Sequence, residues 1–291
     1  MADFHSSMHG SAAALPRRNP LHTWWTILRI SIEERLIYRG DFALGTLMRF
    51  LPLLTQIFLW AAIYQAVHPR ETIAGYSYHE MVAYYLLTQI SRAFSSMPNL
   101  ASQIALQIRN GEIKKYLIQP VDLIGFMFLM RVAHKLVYYV VAFAPFALVF
   151  FLCRDFFSGW PDATTMAAYL ASLVMAFLIG YFLEATLGLV GFWFLEVSSL
   201  LFIYMLFTFF FSGHMFPLDM LEELGGPWAT IVRVIPLQYL AYFPAAVFLG
   251  KIQGADLAWG LAMQLFWVLF FIGLCRLTYY LGVRRYSGYG G

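Results

Sequence analysis

Charge is scarce in this 291-residue chain: 12% of its residues are Asp, Glu, Lys or Arg, against 61% hydrophobic ones. A soluble globular domain carries about 25% charged and roughly 45–50% apolar residues, so that class is excluded. Cysteine is nearly absent. Cys153 and Cys275 stand apart inside apolar runs, which leaves no disulfide framework and no cysteine metal site, and they read as small apolar residues. The seven histidines are scattered without metal-ligand spacing. No G-x-x-x-x-G-K-[ST] loop occurs. The Gly250–Lys251 pair has Ala245 where the first glycine belongs and Ile252 where the hydroxyl belongs. A G-x-S-x-G elbow is missing too, so no catalytic residue and no cofactor are assigned to this chain. The first 20 residues, MADFHSSMHGSAAALPRRNP, lack the apolar core of a secretory signal. A net charge of +3 is too small to point to nucleic acid.

Apolar length is what the chain has in quantity, with 28 Phe, 18 Tyr and 8 Trp and a mean hydropathy of +0.67. Six stretches, 44–67, 81–97, 124–152, 166–195, 197–216 and 258–281, can each cross a hydrocarbon core of about 30 Å as helices, with some tilt. Glu196 alone separates the fourth and fifth, so that turn must be tight. Orientation follows the basic residues. With the amino end inside, the cytoplasm receives ten: Arg17, Arg18, Arg29, Arg35, Arg39, Arg109, Lys114, Lys115, Arg284 and Arg285. The outside receives Arg70, Arg154, Arg233 and Lys251. Both termini are then cytoplasmic.

Residues 217–254 are apolar enough to suggest a seventh crossing. Pro227, Pro236, Pro244 and Gly225–Gly226 cut them into pieces shorter than a bilayer. They read as an extracellular re-entrant helical hairpin that surrounding protein shields from lipid. Ahead of the first span, residues 20–40 interleave Trp24, Trp25, Ile27, Leu28, Ile32 and Leu36 with Arg29, Glu33, Glu34 and Arg35. That pattern predicts an amphipathic helix lying in the headgroup region, or a soluble helix on a partner. The chain divides into a flexible cytoplasmic tail (1–19), the interfacial helix (20–40), one permease domain (41–283) and a cytoplasmic tail (284–291). The fold class is an all-α membrane protein: six transmembrane helices, an amino-terminal interfacial helix and a re-entrant hairpin between spans 5 and 6.

Chemistry-bearing residues are few. Glu184 sits deep in a span, where a carboxyl costs about 2.5–3.5 kcal/mol on insertion scales. It serves a polar substrate or proton, or it pairs with Arg131 or Lys135 of the third span. Glu196, at the membrane edge, reads as the cap of a tight helix turn. Gly188 and Gly191 with Ala185 form a small-residue strip suited to close helix contact. The fifth span is crowded with bulky residues, among them Met205, Phe207, Phe209, Phe210, Phe211, Met215 and Phe216. A subset facing a dimer axis would make an adaptable apolar path. The pathway and gate are expected at Glu184, Phe210, Phe211, Met215, Phe216 and Pro217.

Residues 99–122, NLASQIALQIRNGEIKKYLIQPVD, are a charged island between apolar runs. Hydrocarbon cannot solvate Arg109, Glu112, Lys114 and Lys115 together. Asn110–Gly111 breaks two short helical pieces and Pro120 stops the second. Ile104, Leu106, Ile108, Ile113, Tyr116 and Leu117 supply apolar knobs among the charges, as a rim-and-core docking surface requires. A membrane-surface helix pair is the other reading.

With these motifs in view, the chain resembles the ABC-2 type exporter permeases, nearest to bacterial ones of uncharacterised substrate that act with a separate ATPase. The resemblance rests on IEERLIYRGDFALG ahead of the first span and on IRNGEIKKYLIQPVD, similar to a family pattern G-E-[LI]-x-x-[YF]-L-[LI]-x-P-[VL]-[DN]. FFFSGHMFPLDML with IPLQYLAYFPAAVFLG, and the tail LGVRRYSGYGG, complete it. It implies six spans per subunit in the bacterial inner membrane. A second permease copy or paralogue and two ATPase subunits that carry the ATP and Mg would be its partners. It also implies an ATPase-coupling region over Gln107, Ile108, Arg109, Asn110, Gly111, Glu112, Ile113, Lys114, Lys115 and Tyr116. Lys114–Lys115 stands where acidic or neutral residues are common in relatives. The expected function is outward movement of an amphiphilic, drug- or lipid-like substrate by alternating access. A membrane scaffold or signalling subunit using the same island stays open. A secondary carrier is disfavoured, because paired broken spans in inverted repeat are not visible.

Overall fold

Long apolar runs leave the backbone one economical way to satisfy its own hydrogen bonds, and helices result. A computed structural model describes residues 20–36, 39–67, 72–119, 121–194, 196–223 and 225–286. Among these the regular elements are helical, and the extended backbone amounts to one isolated bridge between Ile73 and Tyr76. In chain order the helices are α1 (Pro20–Leu36), α2 (Arg39–Ala66), α3 (Tyr78–Ser95), α4 (Leu100–Arg109), α5 (Lys114–Leu117) and α6 (Leu123–Leu152). Then come α7 (Ala163–Leu189), α8 (Ser198–Phe211), α9 (Asp219–Glu223), α10 (Pro227–Val234), α11 (Tyr242–Phe248) and α12 (Gly254–Arg285). The tails 1–19 and 287–291, and Pro120, lie outside the described residues.

Local signals explain the helix starts. Ser77 and Glu80 form a reciprocal capping box on α3, with the Ser77 amide donating to Glu80 at 2.8 Å. Asp122 caps α6 by accepting the Gly125 amide at 2.7 Å. Asp162 caps α7 through the amides of Thr164 and Thr165, and the two threonine hydroxyls hold its carboxyl down at about 2. α1 packs against α6, with the Trp24 ring lying over Gly125, while Trp25 on its other side is exposed.

α7 is the hub, in contact with α3, α4, α11 and α12. The contact with α3 and α4 is unusually close. A Cβ at Gly180 would stand 2.1 Å from the Ser95 carbonyl oxygen, one at Gly188 2.7 Å from that of Ala101, and one at Gly191 3.1 Å from the Ala105 Cα. Only missing side chains permit this approach, so the small-residue strip does what its composition implies and reaches one turn further, to Gly180.

Among the described residues, three helical segments are long and apolar enough to cross a membrane: Leu123–Leu152, Ala163–Phe192 and Gly254–Arg285. The other expected spans differ for identifiable reasons. α8 has 14 residues, or about 21 Å of helix. The 18 residues of α3 include Glu80, Gln89 and Arg92, and much of the helix is buried in protein. In α2 the described apolar stretch runs over Phe50–Ala66. Residues 217–254 fold as α9, α10, a 3-10 turn at Pro236–Leu240 and α11, each too short to cross. The run from Leu237 to Val247 is buried against α3, α7 and α12. Gly188→Leu is expected to destabilise the detergent-solubilised chain by about 1–3 kcal/mol through overpacking. Gly273→Ala, where a Cβ meets open space, should leave the thermal midpoint unchanged or slightly raised.

Candidate functional site: a charged knuckle, a polar cavity and a tyrosine latch

The island folds as a knuckle. α4 ends at Arg109, Gly111 takes a positive φ of 75°, and α5 follows after one turn. Its apolar residues divide by face. Ile104, Ile108 and Ile113 are buried with Met97, Leu100, Leu123, Ile124, Tyr181, Leu189 and Cys275. Ile108 and Ile113 therefore anchor the knuckle from inside, which corrects their expected place on its contact surface. The outward residues are Arg109, Asn110, Glu112, Lys114 and Lys115, with Gln107, Gly111 and Tyr116 half-buried. Leu106, Leu117 and Ile118 are the exposed apolar groups, and Ile118 is 84% exposed. Arg109 reaches Glu196 at 3.5 Å, and Lys115 reaches Glu112 at 3.5 Å. Glu196 also takes the Ser198 amide at 3.1 Å and the Ser198 hydroxyl. The serine hydroxyl chiefly holds this carboxyl below the usual range. It thus braces the start of α8, as its place in the tight turn implies. At the foot of the knuckle, Asp122 receives Arg276 of α12 at 2.7 Å.

At the start of α4, the end away from the knuckle, lies a cavity of about 380 Å³ between α3, α4, α7 and α8. A second, of about 400 Å³, opens on the other side toward α2 and α6. The two share one wall: Arg92, Ser96, Met97, Pro98, Glu184 and His214. That wall is the break between α3 and α4, and its carbonyls are collared from α6. Lys135, 7% exposed, donates to Ala93 at 2.5 Å and to Ser96 at 2.7 Å. Tyr139 also donates to Ala93, and Arg131 donates to Pro98 and to the Gln103 side chain, each at 3.0 Å. The expected ion pair of Glu184 with Arg131 or Lys135 does not form within 4 Å. Glu184 instead lies beside Met97 in the shared wall and feels both cations through space. Among the residues expected to form the pathway, only Glu184 lines these cavities. Phe210 and Met215 point outward, Phe211 and Phe216 are half-buried and Pro217 is buried. The lining face of α8 is Leu201, Tyr204, Met205, Thr208 and Phe209, spaced i, i+3, i+4, i+7 and i+8. Tyr204 and Thr208, polar residues in an otherwise apolar helix, were the signal for it.

The 212–242 segment is latched to α3 by hydroxyls. Tyr84 donates to the Gly213 carbonyl and Tyr85 to that of Met215 at 2.6 Å. Asp219 accepts from Tyr76 at 2.8 Å and from Tyr242 at 2.6 Å. The Tyr242 amide closes onto the Ser212 carbonyl at 2.9 Å, which brings the two ends of the segment together. Lys251 ties the end of α11 to Glu80 at 2.6 Å and to the Gly75 carbonyl at 2.9 Å.

A knuckle braced on a helical hub, with apolar helices around it, is a membrane architecture rather than an enzyme pocket. A family model described as an ABC-2 family transporter protein matches residues 50–290. The chain belongs to that family. No curated protein matches it significantly. This ABC-2 chain is accordingly a multi-pass membrane protein and a permease subunit of an ABC exporter, and the family implies an ABC ATPase partner and a commonly dimeric arrangement. Asp219→Ala leaves the Tyr76 and Tyr242 hydroxyls without their acceptor, at a cost of about 1–3 kcal/mol. A cysteine at Leu221, half-buried against the core, should then label severalfold faster than in the otherwise unaltered chain.

Proposed function

We propose that this chain is the membrane half of an exporter in which the knuckle Gln107–Tyr116 is the handle for a separate ATPase. α2, α3, α6, α7, α8 and α12 form six crossings, with both termini and the knuckle in the cytoplasm of a bacterial inner membrane. The 217–254 segment forms the re-entrant hairpin at the outer face. Two copies, or this chain and a paralogue, make the transport unit, and ATP and Mg are held by the partner. An amphiphilic substrate moves outward as the halves alternate between inward- and outward-open states.

One observation carries this reading: the knuckle is stiff and outward-facing at once. A loop that merely connected two spans would have no reason to bury Ile104, Ile108 and Ile113 against α7 while presenting Arg109, Glu112 and Lys114. A handle needs both properties, because a pull on its charged face is useful only if the anchored face moves a spanning helix. The excess of basic residues on the knuckle side supports the orientation. The exposed apolar face of α8, with Phe202, Ile203 and Phe210 among its outward residues, supports a second copy there.

The test is reconstitution with the ATPase. Glu112→Arg should lower permease-stimulated ATP hydrolysis at least about tenfold, the effect of losing one charge-assisted contact, while leaving the thermal midpoint of the permease unchanged. Undiminished stimulation in Glu112→Arg and in Arg109→Glu together would contradict the assignment of the handle.

A further inference from the structure

A third cavity, of about 460 Å³, lies where α6 and α7 meet, and it shares no lining residue with the two at the start of α4. Several pieces of chain build it. Leu87 and Ile90 come from α3, Phe150 and Phe151 from the end of α6, and Met166 and Tyr169 from the start of α7. Arg154, Phe157 and Trp160 belong to the link between those two helices, and Phe248 to the last turn of α11. Leu87 and Tyr169 are buried and close the back. Phe151, 63% exposed, and Trp160, 85% exposed, mark the mouth. Because α6 and α7 are long and apolar enough to cross a bilayer, their shared end lies near its edge, where tryptophan is enriched.

Six of the lining residues are aromatic, and their rings hold one another in place. Phe248 is met edge to face by Tyr169 at 5.1 Å, Phe157 at 6.2 Å and Trp160 at 6.3 Å between ring centres. Phe157 in turn stacks on Phe150 at 5.6 Å. Such an array stands ready before a ligand arrives, so little ordering cost falls on binding. Charge is nearly absent. Among the described residues no carboxylate lines the cavity, and the one cation, Arg154, faces Asp155 at 3.5 Å and the Phe151 ring at 5.1 Å. The volume lies within the range of small-molecule sites, about 300–1,000 Å³. A flat ring gains stacked and edge-to-face contacts here that a hydrocarbon chain of equal area lacks.

We propose that this cavity binds an uncharged, ring-bearing hydrophobic molecule, taken from the surrounding lipid and held among Phe157, Trp160, Tyr169 and Phe248. Its occupant touches both the α6–α7 link and the end of α11, so binding ties the 217–254 segment to that link. The site does not depend on the export reading, and its occupancy is measured without an ATPase. A failed coupling test leaves the cavity assignment standing, and a failed binding test leaves the handle standing.

The experiment irradiates the full chain, in nanodiscs of zwitterionic lipid, with increasing benzophenone, an uncharged aromatic photoprobe. Mass spectrometry then maps the labelled peptides. Labelling within residues 150–169 should saturate, and excess phenanthrene should suppress it at least about tenfold while an equal excess of dodecane does not. The carboxylate analogue benzoylbenzoate should need at least about tenfold more probe to half-saturate the site, since its charge finds no free partner there. Met166→Trp, which fills the cavity without altering charge, should abolish the saturable labelling. Phe248→Leu keeps the site apolar but removes its central ring, and should raise the half-saturating concentration about fivefold, the share of one aromatic pair. It decides the matter should Met166→Trp not fold. Labelling that rises with probe and never levels off would mark ordinary partition into lipid and overturn the proposal. So would dodecane competing as well as phenanthrene, tighter binding of the carboxylate, or full affinity in either variant.

Discussion

Along α7 and the 3-10 turn Val190–Phe192 that continues it, Gly180, Gly188 and Gly191 present three places where a side chain is missing, and the backbone from Ser95 to Ala105 lies directly against them. This contact sets where everything else can be. Because α4 rests on α7, the chain must break between α3 and α4, and the broken carbonyls need donors, which Lys135, Arg131 and Tyr139 of α6 supply. Because the same seat is lined by Ile104, Ile108 and Ile113, the polar half of the knuckle has only one direction left to face. The cavity walled by Arg92, Glu184 and His214 lies just beside the seat. Knuckle, helix break and cavity are consequences of one close helix contact.

The charged groups fall into two energetic classes. Pairs on the knuckle, Arg109 with Glu196 and Lys115 with Glu112, are long and half-exposed and contribute about 0–1 kcal/mol each. They leave the surface adjustable, as a face meant for a partner should be. The second class is tied to backbone at helix ends. Lys135 is satisfied by two carbonyls, and Asp122 both caps α6 and receives Arg276. An unsatisfied charge in such surroundings costs several kcal/mol. At the other end of the helices the latch uses neutral hydroxyls, each worth about 1 kcal/mol, so the 212–242 segment is held by many weak ties rather than one strong one. Such an arrangement can open in part without the whole segment unfolding.

What the sequence disclosed follows the range of the forces involved. Signals confined to a few residues were legible: the Asn110–Gly111 break, the glycine strip, the prolines that shorten 217–254. Family motifs located the knuckle. The inward turn of Ile108 and Ile113 was not legible, because a charged island with apolar residues reads the same whether those residues meet a partner or their own protein. Glu184 was noticed for its cost, but the wall it shares with Met97 depends on a helix break nearly ninety positions away. The ties from Tyr84 and Tyr85 to Gly213 and Met215 span even longer separations and leave no local trace. Bulk drew the pathway expectation to Phe210 and Phe211. The face of α8 that lines the cavity is Leu201, Tyr204, Met205 and Thr208, and helix spacing rather than bulk marks it.

The central claim is that α4 and α7 move as one body, so that force on the knuckle reaches the spanning helices without slip. Ala105 and Gly191 allow this to be tested directly, since a Cβ at Gly191 would lie 3.3 Å from that of Ala105, close to the spacing a disulfide needs. In the Ala105→Cys, Gly191→Cys double variant, reconstituted with its ATPase, oxidation should leave permease-stimulated ATP hydrolysis within about twofold of the reduced form, a change below 0.5 kcal/mol. Abolition on oxidation with recovery on reduction would mean that α4 slides on α7 during the cycle, and the account would be wrong.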